Sequence, residues 1–310
     1  DGAADGAADG ALWRHPLCAG LDDCWVETDH HGAFRRLRGL SAGLERQLAE
    51  DLAAGPIVPM GAGAGRSGAS FGRLHGGRFV LKLGLRADTM VNEFRSLGRL
   101  VADDALLRHF VSHPGSLINR PYGRLHLRLG GLRLHAALLA DATYSKDVGP
   151  PCPAGGREPC VASRRYDLKG ESRPQHQENK EDSWCLINGN FNKLEGGKLD
   201  MSEDQCAQLR GAAGRDVEFL AARNISDYSL MVLAAARGRG DVRQGCDEPP
   251  RVPEPRCAQS ERRMYTFGFV DFLTPLTDAR AAESFFRGFK YHDYDAKILD
   301  FIGKICGRPA

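Results

Sequence analysis

The spacing of hydrophobic residues along the chain predicts several amphipathic helices. From Ala33 to Ala53, apolar side chains recur every third or fourth residue, the period of one face of a helix or helix pair. The same period predicts a helix from Thr89 to Phe110, which the following His113-Pro114-Gly115 ends. It also predicts a last helix from Asp295 to Cys306.

A glycine-rich hairpin is predicted in the N-terminal half of the chain. The segment from Gly61 to Gly72 is rich in glycine, alanine and serine, and it precedes the apolar run from Phe79 to Leu83. Between them lies Gly76-Gly77, a pair typical of tight turns between antiparallel strands. Because side chains alternate across a strand, Lys82 is expected to face the side opposite Phe79.

The remaining patterns complete a mixture of helices and strands. A second hairpin is predicted around Gly130-Gly131, and Ser202 with Gln205 forms a capping box that begins a helix ending at Asn224. Strand-like runs follow at 228–232 and 265–270. The pattern therefore predicts an α+β fold, with an antiparallel sheet in the N-terminal part and mixed helix and sheet in the C-terminal part.

Three segments lack a periodic apolar pattern and suggest where the chain divides. Residues 1–32 begin with repeated Asp-Gly-Ala blocks and are expected to be a flexible lead-in. Residues 147–163, rich in proline, glycine and cysteine, read as a linker or insertion, and 236–263 has the composition of a disordered insertion. We therefore expect an N-terminal lobe with a glycine-rich loop over 33–146 and a C-terminal lobe over 164–310.

Composition excludes several classes of protein. The chain is 42% hydrophobic and 26% charged, which rules out fibrous and wholly disordered proteins. The net charge of +2 gives no global attraction to nucleic acid. Nine cysteines without a CxxC pair favour a reducing compartment over a disulfide scaffold or zinc module. No apolar run reaches the roughly 20 residues that a membrane span requires.

A strand lysine near a glycine-rich loop, with aspartates at two strand ends, suits an enzyme that transfers phosphoryl groups from a nucleotide. Loop amides, a lysine and carboxylate-held magnesium would position the negative charges of ATP. A P-loop would need glycine where Met60 stands. Protein kinases carry His-Arg-Asp and Asp-Phe-Gly, whereas this chain has Ser226-Asp227-Tyr228 and Asp271-Phe272-Leu273.

A different set of motifs carries a family resemblance. The chain has Tyr-Asp-Leu-Lys-Gly at 166–170, Asp-Tyr-Ser-Leu at 227–230 and Gly-Phe-Val-Asp at 268–271. In this order they strongly resemble the phosphatidylinositol phosphate kinase family, over roughly Phe34 to Ile305. The resemblance implies a two-lobed fold distantly like that of protein kinases, with 164–310 as the catalytic lobe. It also implies transfer of the ATP γ-phosphate to a ring hydroxyl of a phosphoinositide.

The resemblance assigns roles to matching residues. Lys82 would neutralise the ATP phosphates, and Glu93 would anchor Lys82 from the predicted helix, the alternative being an ordinary surface glutamate. Asp227 would orient the attacking hydroxyl or accept its proton, Lys169 would contact the transferred phosphate or the substrate, and Asp271 would hold Mg²⁺. The residues expected to cover the ATP phosphates are Ser67, Gly68, Ala69, Ser70 and Phe71.

The lipid substrate implied by the resemblance requires a basic surface beside the active site. The residues expected to contact anionic lipid are Arg165, Arg173, Arg287 and Lys290. We expect a cytoplasmic protein that binds peripherally to the cytosolic face of the plasma membrane, with no nucleic-acid partner, and the family allows a homodimer. In the helix after Ser202, Asp216 is interpreted as part of a solvated face.

Two departures from the family pattern bear on activity. Glu171 stands where a serine usually follows the Lys-Gly pair, and the segment after Asp271 is shortened around 281–290. The expected reaction converts phosphatidylinositol 4-phosphate to the 4,5-bisphosphate with ATP and Mg²⁺. The alternatives are a catalytically weak or dead phosphoinositide-binding scaffold of the same fold and a soluble inositol-phosphate kinase.

Overall fold

The computed structural model describes residues 12–13, 24–60, 69–84, 87–129, 132–144, 163–170, 185–236, 256–259, 263–275 and 294–306. The chain divides into two compact units. The first contains residues 1–111 and 120–141, and the second contains 112–119 and 142–310. Both contain helices and strands, which confirms the predicted α+β class.

The first unit is built on a seven-stranded antiparallel sheet with the strand order β1-β2-β6-β7-β5-β4-β3. Its strands are β1 (Leu12–Trp13), β2 (Cys24–Thr28), β3 (Val58–Met60), β4 (Ala69–Arg73), β5 (Phe79–Gly84), β6 (Pro121–Leu129) and β7 (Leu132–Ala140). Both predicted hairpins are confirmed, since β4 pairs with β5 and β6 with β7. The first hairpin turns at Gly77, whose φ of 73° glycine adopts without strain.

The expectation of a flexible lead-in over 1–32 was wrong for part of that segment. Strands β1 and β2 belong to the sheet, and β2 pairs with β6 from Cys24 opposite Leu129 to Thr28 opposite Leu125. Val26 is only 1% exposed. The partner of β2 lies about a hundred residues along the chain, so local composition carried no sign of the pairing.

The helices of the first unit are α1 (His31–Gly39), α2 (Leu44–Ala53), α3 (Ala87–Ala102) and α4 (Ala105–Ser112). The helix pair predicted from 33 to 53 is confirmed as α1 and α2. The single helix predicted from Thr89 to Phe110 was wrong, because two helices meet there. Asp104 adopts a left-handed φ of 55°, and Oδ1 of Asp103 accepts a hydrogen bond from the Ala105 amide at 3.0 Å, which caps α4.

The second unit contains a five-stranded sheet with the order β11-β12-β10-β8-β9, antiparallel except for the β8–β9 pair. Its strands are β8 (Ser163–Leu168), β9 (Leu186–Ile187), β10 (Ser229–Ala236), β11 (Arg256–Gln259) and β12 (Arg263–Val270). Its helices are α5 (Asn188–Glu195), α6 (Glu203–Ala221) and α7 (Tyr294–Ile305). The predicted capping box at the start of α6 is confirmed, with Gln205 N donating to Ser202 Oγ at 3.2 Å.

The predicted insertion and the predicted linker lie only partly within the described residues. Within the expected disordered insertion at 236–263, residues 256–259 form β11, which pairs with β12, so the prediction was wrong there. An edge strand with one partner needs little apolar sequence of its own, which explains why composition missed it. Residues 237–255 and 260–262 of this insertion, and 147–162 of the predicted linker, lie outside the described residues. Among the helices of the described ranges, none combines the length and the hydrophobicity that a membrane-spanning helix needs.

Candidate active site

Three strand ends meet at one edge of the five-stranded sheet. Ser229, the first residue of β10, lies opposite Val270, the last residue of β12. Leu230, the next residue of β10, lies opposite Leu168, the last residue of β8. The residues just beyond these strand ends therefore share one edge of the sheet, and they include Lys169, Asp227 and Asp271.

Lys169 and Asp227 form an ion pair at this edge. The Lys169 Nζ donates to Oδ1 of Asp227 at 2.9 Å and to the main-chain carbonyl of the same residue at 3.0 Å. The main-chain amide of Lys169 donates to Oδ1 of Asn188 at 3.1 Å, so the lysine is fixed at its backbone and at its ammonium. The Asp227 side chain keeps 43% exposure, which leaves the carboxylate accessible to a further group.

The charges around Lys169 determine its protonation. Burial alone lowers the pKa of this ammonium, but Asp227, Asp167 and Asp271 act in the opposite direction, and the net effect raises its pKa. Lys169 therefore stays positively charged at neutral pH. The strand register places Asp271, directly after β12, at the same edge of the sheet as the Lys169–Asp227 pair.

The backbone at Asp227 and Asp271 adopts an uncommon conformation. Asp227 has φ 63° and Asp271 has φ 58°, both in the left-handed region that L residues seldom adopt. Such a conformation costs on the order of 1–3 kcal/mol, persists only where neighbouring contacts fix it, and clusters at functional sites. The residues just before β10 and just after β12 therefore both include a left-handed aspartate.

Backbone geometry and close packing explain why the motif at 166–170 ends in glycine. Its φ is 66°, and a Cβ placed there would lie 2.8 Å from Cβ of Phe301 on α7. Both the backbone conformation and the available space therefore require glycine beside Lys169.

Asp227 and Asp271 also offer the ligand chemistry that Mg²⁺ prefers. Mg²⁺ is usually bound by one or two carboxylates together with waters and substrate phosphates, so it needs no cage made of protein alone. Within the described part of the chain, no group of three or more His, Cys, Asp or Glu side chains is spaced to hold a metal ion. A carboxylate is a hard oxygen donor of the kind that Mg²⁺ binds together with nucleotide phosphates, so the chemistry of Asp271 fits the metal role that the sequence predicts.

In the first unit, the structure pairs Lys82 on β5 with Glu93 on α3. The Nζ to Oε2 distance is 2.7 Å, and the two side chains are 2% and 3% exposed. The alternative that Glu93 is a surface glutamate was therefore wrong. Phe71 is the cross-strand partner of Lys82, and its ring centroid lies 5.8 Å from Nζ.

The structure describes only some of the other residues that were predicted to bind ATP or lipid. Ala69, Ser70 and Phe71 begin strand β4. Arg165 is 7% exposed, and its Nε donates to Oγ1 of Thr143 at 2.8 Å. A guanidinium held inside the fold is not a surface contact for lipid, so the structure does not support that role for Arg165. The residues that lie outside the described ranges are Ser67, Gly68, Glu171, Arg173, Arg287 and Lys290.

Asp216 on α6 has a role that the sequence analysis missed. The expectation of a solvated position was wrong, because the residue is 0% exposed. Its carboxylate accepts hydrogen bonds from Oγ of Ser116 at 2.7 Å and from the Leu117 amide at 2.5 Å. The carbonyl of Leu117 in turn accepts from the amide of Phe269 on β12 at 2.6 Å. Asp216 thus anchors the segment at Ser116 and Leu117, which bonds to β12 at Phe269, two residues before Asp271.

A comparison with protein-family models supplies independent evidence. The model described as Phosphatidylinositol-4-phosphate 5-Kinase matches residues 60–249, which is more than half of the chain. The comparison with curated proteins gave no match. Lys82, Glu93, Lys169 and Asp227 lie inside the matched span, and Asp271 and α7 lie beyond it. The chain therefore belongs to the phosphatidylinositol-4-phosphate 5-kinase family and is, in general terms, a phosphatidylinositol phosphate kinase.

Proposed function

We propose that the chain transfers the γ-phosphate of ATP to phosphatidylinositol 4-phosphate and so makes the 4,5-bisphosphate. The observation that carries this proposal is the Lys169–Asp227 ion pair at the sheet edge that also holds Asp271. Family membership supports the class of reaction. The choice of the 4-phosphate follows the family description and needs a direct test.

In this proposal, Asp227 accepts the proton of the attacking inositol hydroxyl. Its exposed carboxylate is within reach of a substrate, and the bond from Lys169 to Oδ1 fixes its orientation. Lys169 stays cationic and offers its ammonium to the transferred phosphoryl group. Phosphoryl transfer depends mainly on positioning and charge, and this pair supplies both.

Asp271 is proposed to hold Mg²⁺, assisted by the nucleotide phosphates. The bound ion neutralises charge that develops on the phosphates during transfer. Lys82 is proposed to contact the ATP phosphates. An ammonium carries three N–H donors, so Lys82 can bond Glu93 and a phosphate oxygen together. Ser67 to Phe71 are the residues proposed to cover the ATP phosphates.

Peripheral binding to the cytosolic face of the plasma membrane is part of the proposal. Arg173, Arg287 and Lys290 are its proposed lipid contacts, each contributing about 1 kcal/mol near an anionic surface. Because the chain as a whole is nearly neutral, this attraction must come from a local cluster.

One sequence feature favours a second candidate, a weak or dead phosphoinositide-binding scaffold. Glu171 places a negative charge two residues after Lys169, where it would repel a phosphate. Such a scaffold would bind phosphoinositide vesicles without transferring phosphate to them.

The decisive assay supplies γ-labelled ATP and Mg²⁺ with vesicles that each contain one monophosphorylated phosphoinositide. We expect label in the 4-phosphate vesicles, with the product identified as the 4,5-bisphosphate. Label in another isomer would overturn the substrate choice and leave the kinase class intact. Vesicle binding without label would establish the scaffold, and equal labelling of the free head group would indicate a soluble inositol-phosphate kinase.

A further inference from the structure

The C-terminal helix α7 contacts the strand end that carries Asp227. Tyr294, its first residue, is 3% exposed, and its Oη donates a hydrogen bond to the main-chain carbonyl of Tyr228. Tyr228 directly follows Asp227. A helix beyond the family-matched span therefore reaches the backbone next to the proposed catalytic carboxylate.

Tyr228 is held by two consecutive residues of α7. Its own Oη donates to Oδ1 of Asp295 at 2.8 Å, while its carbonyl accepts from Tyr294. Its ring is fully buried and packs edge-on against Tyr294 and Phe269, with ring centroids 5.1 and 5.3 Å away. The side chain and the carbonyl of one strand residue are thus both fixed by the start of α7.

The same helix also contacts the residue that follows Lys169. Phe301 of α7 packs so closely on Gly170 that a Cβ there would lie 2.8 Å from its own Cβ. Gly170 directly follows Lys169. One helix therefore touches the chain neighbours of both Lys169 and Asp227.

Two successive carbonyls define the backbone at Asp227. The carbonyl of Asp227 accepts from Nζ of Lys169 at 3.0 Å, and the next carbonyl accepts from Tyr294. Asp227 itself has the strained φ of 63°, which surrounding contacts must maintain. We propose that Tyr294 is a positioning residue whose bond to the Tyr228 carbonyl keeps Asp227 in this conformation, with its carboxylate presented to the attacking hydroxyl. The inference rests on the proposed role of Asp227.

The test variant is Tyr294→Phe, which keeps the aromatic packing and removes only the hydroxyl donor. We expect kcat to fall about 5- to 10-fold, the loss of one hydrogen bond, while KM for ATP is unchanged. Amide hydrogen exchange of the peptide covering 225–231 should become faster, and exchange in α6 should not change. Asp300→Asn is the matched control, because Asp300 lies on the same helix with its side chain 61% exposed.

The two readouts separate this inference from the proposed function. If the wild-type chain phosphorylates no lipid, the proposed function fails, and faster exchange confined to 225–231 in Tyr294→Phe still supports the positioning contact. Wild-type kcat together with wild-type exchange in Tyr294→Phe would overturn the inference. Faster exchange throughout the second unit would also overturn it, because Tyr294 would then be a general structural residue.

Discussion

Lys169 and Asp227 show how two charged side chains can be fixed for chemistry by contacts with each other. The ammonium bonds both the carboxylate and the carbonyl of the aspartate, at 2.9 and 3.0 Å. Such a contact orients the carboxylate while leaving 43% of the side chain exposed to a substrate. The pair therefore combines fixed geometry with access, which general base catalysis requires.

Asp227→Asn tests the proposed proton acceptor directly. The amide keeps the size of the side chain and an oxygen for Lys169, but it cannot take a proton at neutral pH. We expect kcat to fall about 10²- to 10⁴-fold in the lipid labelling assay, with ATP binding retained. Asp204→Asn, an exposed position on α6, should behave like wild type. Normal turnover by Asp227→Asn would remove Asp227 from proton transfer.

The buried Lys82–Glu93 pair allows stability and catalysis to be separated. Lys82→Met leaves the Glu93 carboxylate buried without its partner cation, so the free energy of unfolding should fall by about 3–5 kcal/mol in denaturant titrations. Adding Glu93→Gln removes the uncompensated charge and should restore most of that loss.

Turnover should stay low in both the single and the double variant, because each lacks the cation proposed to contact the ATP phosphates. A double variant that is stable and also fully active would show that Lys82 serves the fold alone.

Single residues also show where sequence reasoning succeeded and where it failed. The spacing of Ala213, Asp216, Val217 and Leu220 places Asp216 on the buried face of α6, so helical periodicity could have found it. Its hydrophilic side chain was instead assigned to solvent. Arg165 was assigned to a basic surface for the same reason, although it is buried and its Nε donates to Oγ1 of Thr143.

At the scale of elements, the turn after β8 depends on α7. Gly170→Ala combines a left-handed φ of 66° with a Cβ that would meet Phe301 at 2.8 Å. Gly196→Ala is a matched control, because Gly196 has φ 67° and nothing within 4 Å of its would-be Cβ.

We expect Gly196→Ala to lower the free energy of unfolding by about 1–2 kcal/mol, the cost of the left-handed backbone alone. Gly170→Ala should cost about 1–3 kcal/mol more because of overpacking, and it should also reduce turnover. Thermal or chemical unfolding measures both variants. Equal effects at the two glycines would show that α7 does not constrain the turn.

Helix α6 supports the strand β12 through Asp216. Asp216→Asn replaces one acceptor oxygen with an NH₂ group that faces the Ser116 hydroxyl or the Leu117 amide. We expect a loss of about 2–3 kcal/mol in the free energy of unfolding. Ser116→Ala removes a hydroxyl that donates to Asp216 and accepts from the Ile118 amide, and it should cost less, about 1–2 kcal/mol, because it leaves no NH₂ group facing another donor. Denaturant unfolding of the two variants tests this order. A free energy of unfolding in Asp216→Asn equal to that of wild type would contradict the anchoring role.

Element boundaries were predictable where the signal was local. The capping box of α6, the glycine turn between β4 and β5, and the stripe of α1 and α2 all lie within a few residues of the elements they define. The pairing of β2 with β6 and the contact of Tyr228 with α7 join residues far apart in sequence. No single segment encodes such pairings, so they emerge only from the folded chain.

At the scale of the whole molecule, charge is balanced, with 42 basic and 40 acidic side chains. Function must therefore depend on local arrangements of charge rather than on the net charge. The strand register brings Lys169, Asp227 and Asp271 to the same edge of the second sheet, and the family match covers the first two of them. This local arrangement is the basis for the account of this enzyme.

The measurement that tests this account most directly is the initial rate of label transfer from γ-labelled ATP to phosphoinositide vesicles, as a function of Mg²⁺ concentration, for wild type and Asp271→Asn. Wild type should transfer label with saturable Mg²⁺ dependence, and it should lose transfer when the metal is chelated. Asp271→Asn should remain folded, with its rate reduced at least about 100-fold at any Mg²⁺ concentration. Equal rates and equal Mg²⁺ dependence in the two proteins would contradict the proposed active site.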